Sequence, residues 1–203
     1  TAASAAGQDD VTTLRVARLP DFIPIIHPVQ VGTGNQEIMA NLLFSNLVSV
    51  ASDETTILPD AAASWEVSPD ATEFSFTLDP RARWQDGEPL TAADVAFTYN
   101  LIIDNKLTSY LQAVKDIERV EVVDDATVRF LMSAPKADML YVVVYVLPEH
   151  IWSTVKVSTL ERSHPNKTPL VGSGPFQVTE FKPDGFTQLV RNPDYWGNDV
   201  EGW

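Results

Sequence analysis

Any chemistry performed by this chain has to come from three histidines and a surplus of carboxylates, because cysteine is absent. Without thiolates there is no disulfide, thiolate zinc site, iron–sulfur cluster or cysteine nucleophile. His27 precedes a proline in a loop, His150 sits in Pro148-Glu-His-Ile-Trp152, and His164 lies in a polar stretch. No two share the i, i+4 spacing by which a helix offers paired imidazoles to a metal, so each reads as a surface or packing residue. Neither a Gly-x-Ser-x-Gly elbow nor a P-loop occurs. With 28 Asp and Glu residues, a glycosidase-like carboxylate pair could be drawn almost anywhere, which empties the suggestion of content. The expectation is a chain without catalytic residues, cofactor or metal, a hydrolase being the remote alternative.

Noncovalent binding has better candidates. Gly32-Thr-Gly-Asn35 stands before a helix, whose free N–H groups and partial positive charge suit a carboxylate or carbonyl. The competing account is a flexible loop in which Thr33 merely caps. Five tryptophans and five tyrosines would suit a secreted carbohydrate- or cell-wall-binding module, provided they lie on an exposed sheet face. The patterning instead assigns Trp65 and Trp84 to a core. Asn166-Lys-Thr168 fits a glycosylation sequon, a tripeptide common by chance.

The elements that must position these residues follow from periodicity. Val11–Arg18 is rich in β-formers and predicts a strand. Pro20, Pro24 and Pro28 then force an extended loop. Thr33-Gly-Asn-Gln36 has capping-box form, so a helix carrying Ile38, Met39, Leu42 and Leu43 on one face should run to about Asn46. Ser64–Val67 and Glu73–Leu78 read as strands, the second with Phe74, Phe76 and Leu78 on one face. Asp86-Gly87 is a turn, and Thr91-Ala-Ala-Asp94 caps a helix with Val95, Ala96, Tyr99, Ile102 and Ile103 as its stripe. Ile117–Val123 and Thr127–Leu131 form a hairpin about Asp124-Asp125. Tyr141–Leu147 is apolar throughout, and its valines favour a doubly buried strand over a helix. Pro148–Trp152 is a short helix, Ser153–Thr168 a surface excursion, and Gly174–Phe181 with Phe186–Arg191 a second hairpin. Strands and helices interleave without βαβ rhythm, which indicates an α+β or mixed α/β fold.

Composition narrows the partners. The 203 residues carry a net charge of −14, which repels phosphate backbones and anionic lipid heads and excludes nucleic acid as a partner. The longest apolar run, Met139–Leu147, has nine residues, short of the roughly 20 needed to span a bilayer. The opening residues 1–10 are small and polar. They read as a disordered tether left after removal of a targeting segment, or as an engineered start.

Four segments in register carry a resemblance: Pro59-Asp-Ala-Ala-Ala-Ser-Trp-Glu-Val-Ser-Pro-Asp70; Trp84-Gln-Asp-Gly-Glu-Pro-Leu-Thr-Ala-Ala-Asp-Val-Ala-Phe-Thr-Tyr99; Leu147-Pro-Glu-His-Ile-Trp152; and Val171-Gly-Ser-Gly-Pro-Phe176 followed by Arg191-Asn-Pro-Asp-Tyr-Trp-Gly197. Together, and from about Val11 onward, they resemble the family 5 solute-binding proteins of ABC importers, the oligopeptide, dipeptide and nickel-binding group. Members of that family are much longer than this chain. The resemblance implies a two-lobed, periplasmic-binding-protein-like clamshell of class II (cluster C), truncated here, with an inserted subdomain. Residues 11–47 and 170–203 would form the first lobe, 48–169 the insertion, and the second lobe would be absent. It implies a peptide or similar small solute, ABC permease partners, a monomer, and a periplasmic or extracellular location with a possible lipid anchor. It adds ligand-binding candidates: Gly32, Thr33, Gly34 and Asn35 in the first loop, and Tyr110, near where oligopeptide-binding relatives place a tyrosine on peptide. Gly172, Ser173 and Gly174 are a hinge, a cleft wall or simply a structural turn.

Overall fold

The structure is a computed structural model and describes residues 28–29, 34–156, 170–182 and 186–199. The strand expected over Val11–Arg18, together with Gly32, Thr33, His27 and His164, lies outside the described residues.

The centre of the fold is a four-stranded antiparallel sheet of β3 (Ala62–Val67), β4 (Glu73–Leu78), β5 (Ile117–Val122) and β6 (Thr127–Met132), in the order β3-β4-β6-β5. Alternation sets its buried face. Phe74, Phe76 and Leu78 of β4 and Val128, Phe130 and Met132 of β6 are all buried. Phe74 pairs with Phe130 and Phe76 with Val128 across the ladder. Each such side chain contributes about 1.5–3 kcal/mol by leaving water.

Helix α2 (Ala92–Asn105) lies over β5 and β6 and drives Tyr99 edge-on into Phe130, with ring centroids 4.7 Å apart at 89°. Its buried residues include Val95, Ala96, Tyr99 and Ile102, while Ile103 is partly buried. The helix starts in a full capping box between Thr91 and Asp94 and stops at Lys106, whose φ of 51° is left-handed. Asn100 extends the hold on the sheet, bonding both the N–H and the C=O of Val120 as a neighbouring strand would.

The remaining elements surround this unit. Helix α1 (Gly34–Leu43) ends three residues short of the expected Asn46, because the amides from Ser45 onward are claimed by other partners, Phe44 N–H being the last to bond back to Ala40 O. A small hairpin, β1 (Val48–Val50) with β2 (Ile57–Pro59), follows it and has no counterpart in the sequence reading, both strands having only three residues. Helices α3 (Leu111–Val114) and α4 (Glu149–Trp152) are single turns, and β7 (Phe176–Phe181) with β8 (Thr187–Arg191) forms the second expected hairpin.

Two expectations need correction. Tyr141–Leu147 is not a strand: a 3-10 turn at Met139–Tyr141 leads into extended chain without a ladder. Val144, Val146 and Leu147 are wholly buried as valine content suggested. The segment runs between a loop and a helix, however, so its amides bond singly, Val146 N–H to Ser45 O at 3.0 Å and Leu147 N–H to Thr98 Oγ1 at 2.9 Å. Trp65 is only half-buried, unlike Trp84 at 2% exposure, because β3 is an edge strand beyond the cover of α2.

Candidate functional site

Of the described site candidates, Gly172, Ser173 and Gly174 lie where the chain returns after residue 170 and meets the end of α1. Ser173 and Gly174 donate their amides to Leu43 O, at 3.0 and 2.9 Å, closing over the C-terminal end of α1 where orphan carbonyls need donors. Ser45 N–H donates to Ser173 Oγ at 2.9 Å. The approach is so close that a Cβ at Gly172 would sit 1.9 Å from Leu43 O, and one at Gly174 2.7 Å from Leu42 O. Glycine is required at both positions by space.

Gln85 completes this clasp. Its amide nitrogen donates to Gly174 O at 3.2 Å and Phe176 O at 2.8 Å, and its Oε1 accepts from Gly172 N–H at 3.1 Å. Asn192 Nδ2 adds a bond to Gly174 O at 3.2 Å. Gly172, Ser173 and Gly174 are all buried, so within these residues they join backbone to backbone.

Tyr110 is buried, and its hydroxyl donates to Pro28 O, tying the start of α3 to the proline loop ahead of α1. Tyr145 stands near it, with its hydroxyl 2.9 Å from Asn41 Oδ1 on α1. Burial pushes the phenols of Tyr99, Tyr110 and Tyr145 well above the ordinary tyrosine range, so they act as neutral donors. Gly34 opens α1 and Asn35 lies in its first turn. The Gly172–Gly174 turn thus packs on the C-terminal end of α1, while Tyr110 holds Pro28 ahead of that helix.

Two residues that organise this region went unremarked as site residues in the sequence. Gln85 offered no signal, since a glutamine beside a turn has no distinctive pattern. Asp94 was legible only as a cap. Its Oδ2 accepts from Thr91 N–H at 2.9 Å and from the Trp84 indole at 3.4 Å, while Oδ1 accepts from Glu149 N–H at 2.8 Å. One carboxylate thus fixes α2, the Trp84 loop and α4. His150 on α4 reaches Asp86 at 2.8 Å on the surface. Among the described residues, no group of three or more His, Cys, Asp or Glu could hold a metal ion, and no helix is long and apolar enough to cross a membrane.

Known proteins resemble this chain in sequence and fold. The sequence model described as "Bacterial extracellular solute-binding proteins, family 5 Middle" matches residues 56–201. A protein of Brucella ovis named as an ABC transporter peptide-binding protein is 34% identical over 157 residues, 76% of this chain and 30% of the relative. The agropinic acid complex of AgaA from A. tumefaciens R10 superposes with a TM-score of 0.74 at 27% identity, over 85% of this chain and 34% of that one. The mannohexaose-bound periplasmic oligopeptide-binding protein of Thermotoga maritima gives a TM-score of 0.67 at 30% identity, over 77% of this chain and 29% of that one. The chain spans about 28–30% of the length of the curated relatives it matches. These relatives are solute-binding proteins rather than enzymes, and their fold is the mixed α/β fold found here. With a match across most of its length, the chain belongs to family 5 of the bacterial extracellular solute-binding proteins.

Proposed function

We propose that this chain supplies one side of the solute cleft in an extracytoplasmic receptor that hands a peptide or similar solute to an ABC permease. The family match over residues 56–201 carries the reading. Residues 11–47 and 170–203 form a first lobe in this proposal, 48–169 an inserted subdomain, and the opposing lobe belongs to the length of the relatives that this chain does not span. Gly32, Thr33, Gly34, Asn35 and Tyr110 face solute, and Gly172, Ser173 and Gly174 hold the hinge side. The bonds of Ser173 and Gly174 to Leu43 at the end of α1, and of Tyr110 to Pro28 ahead of it, support that grouping. The receptor works as a monomer outside the cytoplasmic membrane, held there by a lipid anchor, without catalytic turnover.

Peptide is the first choice of solute because the Brucella ovis relative is named for it, with opines and oligosaccharides next from the two solved complexes. The net charge of −14 steers cationic or neutral solutes inward, within a screening length of roughly 8 Å at physiological salt. A sugar-stacking surface is disfavoured because Trp84 and Trp152 are 2% and 1% exposed.

Calorimetry with tripeptides, agropinic acid and mannohexaose tests the reading. A chain extended to the relatives' full length should bind one class tightly. These 203 residues should bind weakly, since a half-cleft cannot enclose the roughly 70–90% of ligand surface that closed pockets bury. Tight binding by the short chain alone, or turnover of any of the three, would overturn it.

A further inference from the structure

The four-stranded sheet has β3 and β5 at its edges. An edge strand presents outward N–H and C=O groups on which another strand can build. In an antiparallel ladder, residues that face the neighbouring strand alternate with residues that face away. Val120 stands opposite Phe130 and Val122 opposite Val128. The backbone of Val120 faces away from β6, because Asn100 takes both of its groups: Val120 N–H donates to Asn100 Oδ1 at 3.1 Å, and Asn100 Nδ2 donates to Val120 O at 2.9 Å. Val122, two residues further along, faces the same way, and its outward groups have no partner among the described residues. Its side chain is 49% exposed.

The charges on this edge select its partner. Arg119 and Glu121 alternate with Val120 and so share the sheet face away from α2, where both side chains reach solvent and pair with each other at 2.7 Å. A second copy of β5 can lie antiparallel with Val120 opposite Val120. Those two valines then exchange both backbone bonds, the pair that Asn100 now imitates. In that register each Arg119 falls opposite the Glu121 of the other copy, so two opposite-charge pairs form across one two-fold axis. The bulge between Ile117 and Arg119 confines the pairing to the stretch from Arg119 to Val122. The other edge has no such match, since β3 carries Glu66 and no basic residue.

We propose that the edge of β5 is a pairing surface for a second copy of this chain, and that Asn100 is the gate that keeps it closed. The inference rests on the monomer of the proposed receptor and names the residue that maintains it.

The gate wins by being tethered. Ala92 N–H donates to Asp125 O at 3.0 Å, which fixes the start of α2 beside the far end of β5 and brings Asn100 level with Val120. The amide of Asn100 is therefore always at hand, whereas a second copy gives up translational and rotational freedom to make the same two bonds. Without that amide, Val120 and Val122 together present an unbroken run of outward backbone groups.

The test is sedentation equilibrium of the 203-residue chain and its variants over a range of concentrations. The unaltered chain stays monomeric, and Asn100→Ala doubles its apparent mass as concentration rises. Adding Glu121→Arg to Asn100→Ala sets like charges across the axis and abolishes the dimer, and adding Arg119→Glu to that pair restores it. A monomeric Asn100→Ala that keeps its helical circular dichroism, or a dimer indifferent to Glu121→Arg, would overturn the gate alone. Dimerisation of the unaltered chain would overturn both the gate and the monomer of the proposed receptor. Hydrogen exchange in the unaltered chain needs no variant and decides the matter even if Asn100→Ala does not fold. The Val120 amide should exchange on the order of tenfold more slowly than the Val122 amide, and equal rates would show that Asn100 does not hold the edge.

Discussion

Gln85 and Gly172 bond to each other twice: Gln85 N–H donates to Gly172 O at 2.8 Å, and Gly172 N–H donates to Gln85 Oε1 at 3.1 Å. They are 87 positions apart, so this exchange fastens the returning chain to the Trp84 loop. Gln85→Ala should cost about 2–3 kcal/mol, because the carbonyls of Gly174 and Phe176 lose a donor as well. Gln85→Glu should cost more, since a carboxylate would face those same carbonyls. Urea unfolding measures both, and a neutral Gln85→Ala would show the clasp to be dispensable.

Gly172→Ala should be among the most damaging single-methyl changes, at more than about 2 kcal/mol, since its Cβ would meet Leu43 O at 1.9 Å. Gly87 is the control. Its φ of 95° strains any side chain, but nothing lies near its missing Cβ. Gly87→Ala should therefore cost only about 1 kcal/mol. Equal unfolding midpoints for the two variants would contradict the crowding argument.

Asp94→Ala should lose about 3 kcal/mol, well beyond the roughly 1 kcal/mol of a simple cap. It strips acceptors from Thr91, Trp84 and Glu149 together. Thr91→Ala removes one hydroxyl and should show the cap-sized loss alone. Comparing both by chemical denaturation, with hydrogen exchange at Glu149, separates hub from cap.

Stability should fall as pH rises between about 4 and 7. Asp60 has its carboxyl raised from 3.8 to about 7 in the folded chain. The folded state then holds a proton that the unfolded state has released, so the slope of stability with pH is negative across that window. Asp79 and Asp124 are shifted the other way by hydrogen bonds, which removes stability as pH falls below the carboxylate range. Asp60→Asn should flatten the neutral limb and gain on the order of 1–3 kcal/mol at pH 8, with little change at pH 4. Melting curves of both chains across pH 4 to 8 check the sign.

Trp84, Trp152 and Trp196 are buried, so emission should be blue-shifted and poorly quenched by acrylamide. Trp84→Ala should cost about 3–5 kcal/mol, and Trp65→Ala, on its edge strand, clearly less. A red, freely quenched spectrum would restore the exposed aromatic platform as a reading.

Local pattern was sufficient for elements whose reasons are local. The alternation of Phe74, Phe76 and Leu78, the Thr91 cap and the stripe of α2 were legible because strand pleat and helical turn repeat within a few residues. Tyr141–Leu147 was legible as buried only from Val144 on, Tyr141 and Val143 being exposed, and not as ladder-free, since apolar content does not report which neighbour takes the backbone bonds. The same holds for Trp65, whose exposure depends on where β3 falls in the sheet order. Gly172, Ser173 and Gly174 were visible as a special turn, but the crowding against Leu43 that requires the glycines, and the roles of Gln85 and Asp60, arise from contacts across 14 to 130 residues of chain. Side-chain period and capping chemistry are properties of a short segment and can be read one residue at a time. Burial of a polar atom is a property of everything packed around it, and only the folded chain decides that.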